Sequence, residues 1–404
     1  CLRMDSLAST KLECREPIPI DSDSSEGAEF SPPPRRDFIF GLICTGLFCG
    51  QMGLSIMAPF FPKEAKEKGV SEAVLGWIFS VFEIAVIVFT PLVVRVLVHS
   101  GTRPVLVASN LVGGLANVAF GFTWYVDAEV VFPAMCFLLR IVAGIGFAFN
   151  TTAAYSMLSY LFGPNTSGPA GTLEGINGLA MIFGPIVGAS LFGAGGGEEH
   201  LGFVLPFIVL GGLEVLLALA NSFLLPALPP TPSRQPSLIL FSLPVLIPVL
   251  VCIVCGINLG LIDPTLQPHL EKPPLSYSIP LVGAVLSAAC GCYALFAPLA
   301  GMLDDYVKDA SCLMMAFGTL LASVGYGLLA PWTMGNLHLT FNGALAWIGA
   351  CLLGVGCSFA VAPIYKFFKN TARHDTAKEK ELAAGALMSI SFSTGAFLGP
   401  TLGG

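Results

Sequence analysis

Charge is what this 404-residue sequence has least of: Asp, Glu, Lys and Arg make up 11% of it, against 54% hydrophobic residues. A soluble domain needs a surface with about 25–35% charged residues, which this chain cannot supply. A mean hydropathy of +0.79 makes lipid the solvent for most of the chain. In lipid, only structures that satisfy their own backbone groups survive. Basic residues are outnumbered too, with 19 Lys and Arg facing 26 Asp and Glu, so no basic stripe for nucleic acid exists. The five histidines, His99, His200, His269, His338 and His374, fall near helix ends or in loops, which argues against a buried metal cluster. Neither a phosphate-binding Gly-rich loop nor a nucleophile–base pair occurs, so no cofactor, no metal and no enzymatic chemistry are expected.

Cysteine is not scarce, but nearly all twelve lie in apolar runs, as Cys44, Cys136, Cys290 and Cys351 do. Cys252-Val-Ile-Cys255 has redox-motif spacing, yet it falls mid-helix, where a thiolate is poorly solvated. These residues read as small membrane-buried side chains. A secretory signal is lacking as well. Residues 1–37 are polar, carry Asp21, Asp23, Glu26 and Glu29, and read as a disordered tail.

What is present is a series of apolar windows near the roughly 20 residues that span hydrocarbon. Six of them fall at Phe38–Phe61, Val74–Val98, Pro104–Tyr125, Val130–Leu158, Gly171–Ala194 and Phe203–Leu225. A Pro-rich connector over 226–237 cannot continue a helix. Five more windows follow, at Leu238–Leu261, Ser278–Leu303, Ser311–Trp332, Leu345–Phe367 and Leu382–Gly404. The count predicts an all-α membrane protein with an N-terminal six-helix bundle over 38–225 and a C-terminal bundle over 238–404. The twelfth helix is expected to be missing from this chain.

Loop Lys and Arg set the expected orientation. One side holds fourteen: Arg3, Lys11, Arg15, Arg35, Arg36, Arg95, Arg103, Arg234, Lys308, Lys366, Lys369, Arg373, Lys378 and Lys380. The other holds four, Lys63, Lys66, Lys68 and Lys272, so the N-terminus and the connector are expected in the cytoplasm.

Two segments nearly repeat: Gly184-Pro185 and Gly399-Pro400 each sit in a small-residue stretch of a long apolar run. Pro removes one helical hydrogen bond and Gly admits a close neighbour, so both are expected to be helix bends. One such bend in each half is what a duplicated membrane transporter shows.

Ionisable groups inside spans are costly, about 2.5–3.5 kcal/mol each on insertion scales, so each needs a reason. The chain has Glu83, Arg140, Glu174, Glu214 and Asp263. Four acids against one base leave spare negative charge, which favours cations or protons. Asp263 precedes Pro264, so the helix is expected to break there and offer carbonyl groups beside a carboxylate to an ammonium group. The alternative is that Asp263 simply ends the span at the interface. Glu174 reads either as a second cation ligand or as an acidic cap near the start of its helix. Arg140 is expected to pair with Glu83 or Glu174.

Six plus six helices resemble the major facilitator superfamily. Arg140-Ile-Val-Ala-Gly144 is similar to a family motif associated with proton coupling, and the Gly-Pro segments to one associated with proton antiporters. The family's loop motif Gly-x-x-x-Asp-Arg-x-Gly-Arg keeps only its end at Gly101-Thr-Arg103, with Val94 and Val98 replacing its Gly and Asp. The second half keeps both in Gly301-Met-Leu-Asp304-Asp305, which the resemblance makes a gating element. Leu261-Ile-Asp263-Pro-Thr-Leu266, Thr172-Leu-Glu174-Gly, Val204–Gly211 and Gly395–Gly404 are similar to the vesicular amine transporters, polyamine branch. Acids that the monoamine branch carries are replaced here by Gly50, Ser358 and Ser389.

The resemblance implies a monomeric, proton-coupled antiporter that moves an organic cation into an acidic vesicle by alternating access. Asp263 and Glu174 would hold substrate, Arg140 and Glu83 would couple protons. A broad organic-cation or drug exchanger and a non-transporting paralogue are the alternatives.

Overall fold

The apolar windows become helices because no other structure available to a single chain segment pairs its backbone within lipid. The computed structural model is described over residues 33–127, 130–197, 200–226, 243–270, 273, 275–277, 279–307, 310–329, 333–334, 337–338, 342–371 and 377–403. The expected tail lies outside these residues up to 32, and the connector from 227 on.

The helices are α1 (Arg36–Ser55), α2 (Phe61–Glu67), α3 (Glu72–Ser100), α4 (Thr102–Gly121), α5 (Val131–Ser156), α6 (Leu158–Phe162), α7 (Ser167–Ala194) and α8 (His200–Leu224). After the connector come α9 (Leu243–Leu270), α10 (Ile279–Tyr306), α11 (Ser311–Leu329), α12 (Gly343–Val361), α13 (Ile364–Thr371) and α14 (Ala377–Gly403). A two-residue hairpin, β1 (Thr333–Met334) with β2 (Leu337–His338), joins α11 to α12. Among the described residues, eleven spans are long and apolar enough to cross a membrane, with α5–α6 and α12–α13 counted as one each. The spans alternate in direction; α1 begins at what is called here the near face, and α2 lies at the far face.

Several expected boundaries move, each for a local reason. The first span stops at Ser55 rather than Phe61, because Pro59 and Pro62 break the chain into a turn and then α2. The tenth is interrupted at Ala362-Pro363 and resumes as α13. The seventh corrects the sequence reading most. α9 does not break at Asp263-Pro264 but runs through it to Leu270. A single Pro removes one hydrogen bond, and the helix continues because α14 packs along it: a Cβ on Gly256 would lie 2.6 Å from the Phe392 carbonyl. Asp263 is therefore not a helix terminator.

The Gly-Pro segments are likewise unbroken, with α7 continuous through Pro185 and α14 through Pro400. Their glycines are contact points. Gly184 packs against Ser55 of α1, and a Cβ on Gly399 would lie 2.8 Å from Gly260 of α9. Close approach, rather than a break, is what these small residues provide.

The first six spans and the last five meet along two seams, α7 against α10 and α3 with α5 against α14. The α7–α10 seam is tight enough that a Cβ on Gly175 would lie 2.6 Å from the Ala294 carbonyl.

Candidate functional site

The near end of the α7–α10 seam is closed by charge. α7 starts at Ser167, four residues before the expected Gly171, which leaves its first amides without helical partners. Asp305, at the end of α10, supplies them: Oδ1 accepts from Ser167 N at 3.2 Å and Oδ2 from Gly168 N at 2.7 Å. Asp304 accepts from the Ser167 hydroxyl at 2.5 Å and from the Ser311 hydroxyl at 2.6 Å. Lys366 on α13 pairs with both carboxylates, 3.4 Å from Asp304 Oδ2 and 3.2 Å from Asp305 Oδ1. It also donates to the Asp304 carbonyl at 2.9 Å. Lys369 crosses the same divide to the Ser159 hydroxyl at 2.9 Å.

The first half has no matching clasp among the described residues. Its Arg103 donates to the Ser222 carbonyl, which ties α4 to α8 within one half. Val94 and Val98 are buried apolar residues where the second half has Gly301 and Asp305. Gly101 retains its role in the turn, at φ 76°, where other residues are strained.

About two turns deeper lies Glu174. The early start of α7 places it seven residues past the first, about 10 Å at 1.5 Å per residue, so the cap reading fails. Both carboxylate oxygens are occupied. Oε1 accepts from the Tyr155 hydroxyl on α5, and Oε2 accepts from the Tyr293 hydroxyl on α10 at 2.7 Å. Tyr365 on α13 lies with its ring tilted against Tyr155, 5.1 Å between centroids, and donates to the Tyr155 carbonyl at 2.6 Å. Sequence reasoning missed these three tyrosines and Lys366. Lys366, Tyr155 and Tyr365 lie near the ends of otherwise apolar spans, whereas Tyr293, in the middle of α10, carries no local signal.

Arg140 is fully buried on α5. Its Nη1 donates to the Gly53 carbonyl at 2.8 Å, and the guanidinium sits 4.8 Å over the Phe82 ring. Its Nε and Nη2, and Oε2 of the neighbouring Glu83, have no hydrogen-bond partner among the described residues. The two side chains face one another as charges across the α3–α5 contact, with no ion pair within 4.0 Å among the described residues. Ser393 of α14 also reaches Glu83, so this acid touches the second seam. Glu174, the other expected partner of Arg140, belongs to the tyrosine group instead.

Glu214 on α8 anchors a separate buried network. Asn117 donates to its Oε2 at 2.8 Å, and Asn150 donates to Asn110 at 3.1 Å. Between them is a cavity of about 10 Å³, room for about one water. Asp263 lies 20 residues into α9, about 30 Å from its near end, so it does not share the depth of Glu174. The side chains of Asp263 and Pro400 lie outside the described residues. No group of three or more metal-binding side chains occurs among the described residues.

Residues 43–400 match the Major Facilitator Superfamily. The chain belongs to that superfamily. As a member it is a multi-pass membrane transporter and not an enzyme. It is 32% identical over 362 residues to the human protein named "MFS-type transporter SLC18B1", covering 87% of this chain and 76% of that one. The superfamily transporter FucP, in its outward conformation, superposes with a TM-score of 0.69 at 12% identity, over 91% of this chain and 92% of FucP. The human organic anion transporter MFSD10 (TETRAN) does so with 0.64 at 15% identity, over 91% and 93%. Those two likenesses concern the fold alone.

Proposed function

We propose that this superfamily transporter is a proton-coupled antiporter that carries an organic cation, of polyamine type, into an acidic vesicle. The observation that carries the reading is the excess of acid inside the spans. Glu83, Glu174 and Glu214 are buried, Asp263 stands on α9, and Arg140 is the single base among them. Uncompensated carboxylates in lipid need a cationic counterpart, and protons and ammonium groups are the two that can exchange. The identity to SLC18B1 and the amine-transporter strings support a polyamine as cargo. The Lys and Arg distribution supports a cytoplasmic near face.

In this reading the near-face clasp is the cytoplasmic gate in its closed position. Asp304 and Asp305 hold it, and the close contacts at Gly184-Pro185 and Gly399-Pro400 let each half move as one packed body. Asp263, at far-side depth, receives the ammonium group, and Glu174 meets the cation nearer the cytoplasm once the gate parts. Arg140 and Glu83 respond to protonation at the α3–α14 seam. The unit is a monomer.

The test is uptake by the purified protein in proteoliposomes with an acidic interior, using spermidine, a monoamine, a lipophilic quaternary ammonium drug cation and an organic anion in turn. Spermidine accumulation that collapses with a protonophore is expected. Accumulation of the anion alone reverses the charge argument, and equal uptake of every cation replaces polyamine specificity with a broad exchanger.

A further inference from the structure

We propose that Glu174 is a proton-binding site that unlocks the near face, by weakening its own bond to Tyr293. The inference rests on the proton-coupled reading and adds to it the group on which the gate-opening proton sits.

Glu174 belongs to the first half and Tyr293 to the second, so the 2.7 Å bond between them crosses the moving boundary. Tyr155 and Glu174 lie in the same half, and their bond holds the carboxylate toward α10. Tyr365 closes the group from the second half by donating to the Tyr155 carbonyl at 2.6 Å. Two phenol hydroxyls thus both donate to one carboxylate, an arrangement suited to its ionised form, which only accepts.

The groups around it do not supply a competing charge. α5 contributes Tyr155, α10 contributes Tyr293, α9 contributes Cys252, and α7 itself contributes Asn177. α12 contributes Cys357, which faces Tyr293, and α13 contributes Tyr365. Lys366 and Lys369 of α13 are engaged with Asp304, Asp305 and Ser159. Among the described residues no Lys, Arg or His hydrogen bonds Glu174, so only its own protonation can remove its charge.

A proton on Oε2 turns that oxygen into a donor facing the Tyr293 O–H, so the phenol must turn its own hydrogen away and accept instead. The bond across the boundary thereby loses its charge assistance and becomes the weaker, neutral kind. Opening exposes Glu174 to the near side, where the proton leaves and the bare carboxylate can meet a cation. Closure requires the carboxylate back without its proton, after the cation has moved on. One proton therefore crosses from far to near in each cycle, opposite to the cation.

Spin labels at Tyr160→Cys and Tyr306→Cys, two exposed near-face positions on opposite halves, report the opening in a Cys312→Ser background that removes an exposed thiol. Pulsed distance measurements on the full chain at pH 7.5 and 5.5 are expected to show the short-distance population shrinking about tenfold at the lower pH, the scale of one charge-assisted hydrogen bond. Glu174→Gln and Tyr293→Phe are each expected to give the long distance at both pH values. A wild-type pH response that persists in Glu174→Gln, or short distances at both pH values in Tyr293→Phe, overturns the inference. Uptake by the wild type that ignores the proton gradient overturns the underlying transport reading instead, whatever the distances do.

Discussion

The Asp305 carboxylate lies 2.7 Å from the amide nitrogen of Gly168, and those two residues are on opposite halves of the molecule. A helix N-terminus presents unpaired N–H groups and a partial positive charge, and here the second half satisfies the first. The closed near face therefore depends on an acid that sits far away in the sequence.

Replacing Asp305 by Asn removes the charge that faces Lys366 and one of the two acceptors for the α7 amides. A hydrogen bond to a charged group contributes about 1.5–3 kcal/mol, so near-face exposure should rise about tenfold or more. The distance between spin labels at Tyr160→Cys and Tyr306→Cys measures it. An unchanged distance distribution would show that Asp305 caps α7 without holding the gate.

Arg140 offers a test that separates fold from coupling. Removing one member of a buried charged group costs about 3–5 kcal/mol, so Arg140→Ala should lower protein level sharply. Arg140→Lys keeps the charge but loses the planar fork that reaches the Gly53 carbonyl while lying over Phe82. Normal protein level with loss of gradient-driven uptake is expected. Full accumulation by Arg140→Lys would remove Arg140 from the coupling step.

Asp263→Asn should leave α9 and membrane insertion intact, since the helix already runs through this position. Cation uptake should be abolished. Uptake near the wild-type rate would take Asp263 out of substrate recognition.

The α9–α14 contact predicts a graded packing defect. A Cβ on Gly256 would lie 2.6 Å from the Phe392 carbonyl and 2.9 Å from Gly395 Cα, both backbone atoms that cannot swing aside. Gly256→Ala should cost about 1–3 kcal/mol of stability and Gly256→Leu more, read as loss of monodisperse protein on heating in detergent. Gly283→Ala, in open space, is the control and should have no effect.

Glu214 should depend on Asn117 for its place. Asn117→Leu leaves the Oε2 acceptor without its 2.8 Å partner, at a cost of about 1–3 kcal/mol. Thermal unfolding should move down, and the double substitution with Glu214→Leu should restore much of the loss. Additive losses in the double variant would deny the pairing.

Much of this architecture was legible in the residues themselves. Charge depletion and apolar windows require eleven lipid-crossing helices, because lipid leaves a backbone no other partner than its own chain. Arg140, Glu83, Glu174 and Glu214 stood out for the same reason, as costly groups in an apolar run, and they are all buried. Pro264 was misread: it looked like a local break, yet packing against α14 carries α9 past it.

What the sequence determined by itself is which segments enter the membrane and which charged residues go in with them, since the cost of burial is paid residue by residue. Only the tertiary structure decided the partners. Tyr155, Tyr293 and Tyr365 are unremarkable in an apolar helix until folding brings three elements around Glu174, and Asp305 becomes a latch only when α10 ends beside the start of α7. Hydrogen bonds form over about 3 Å of space whatever the chain separation, so a bond between residues more than a hundred positions apart leaves no local pattern to read.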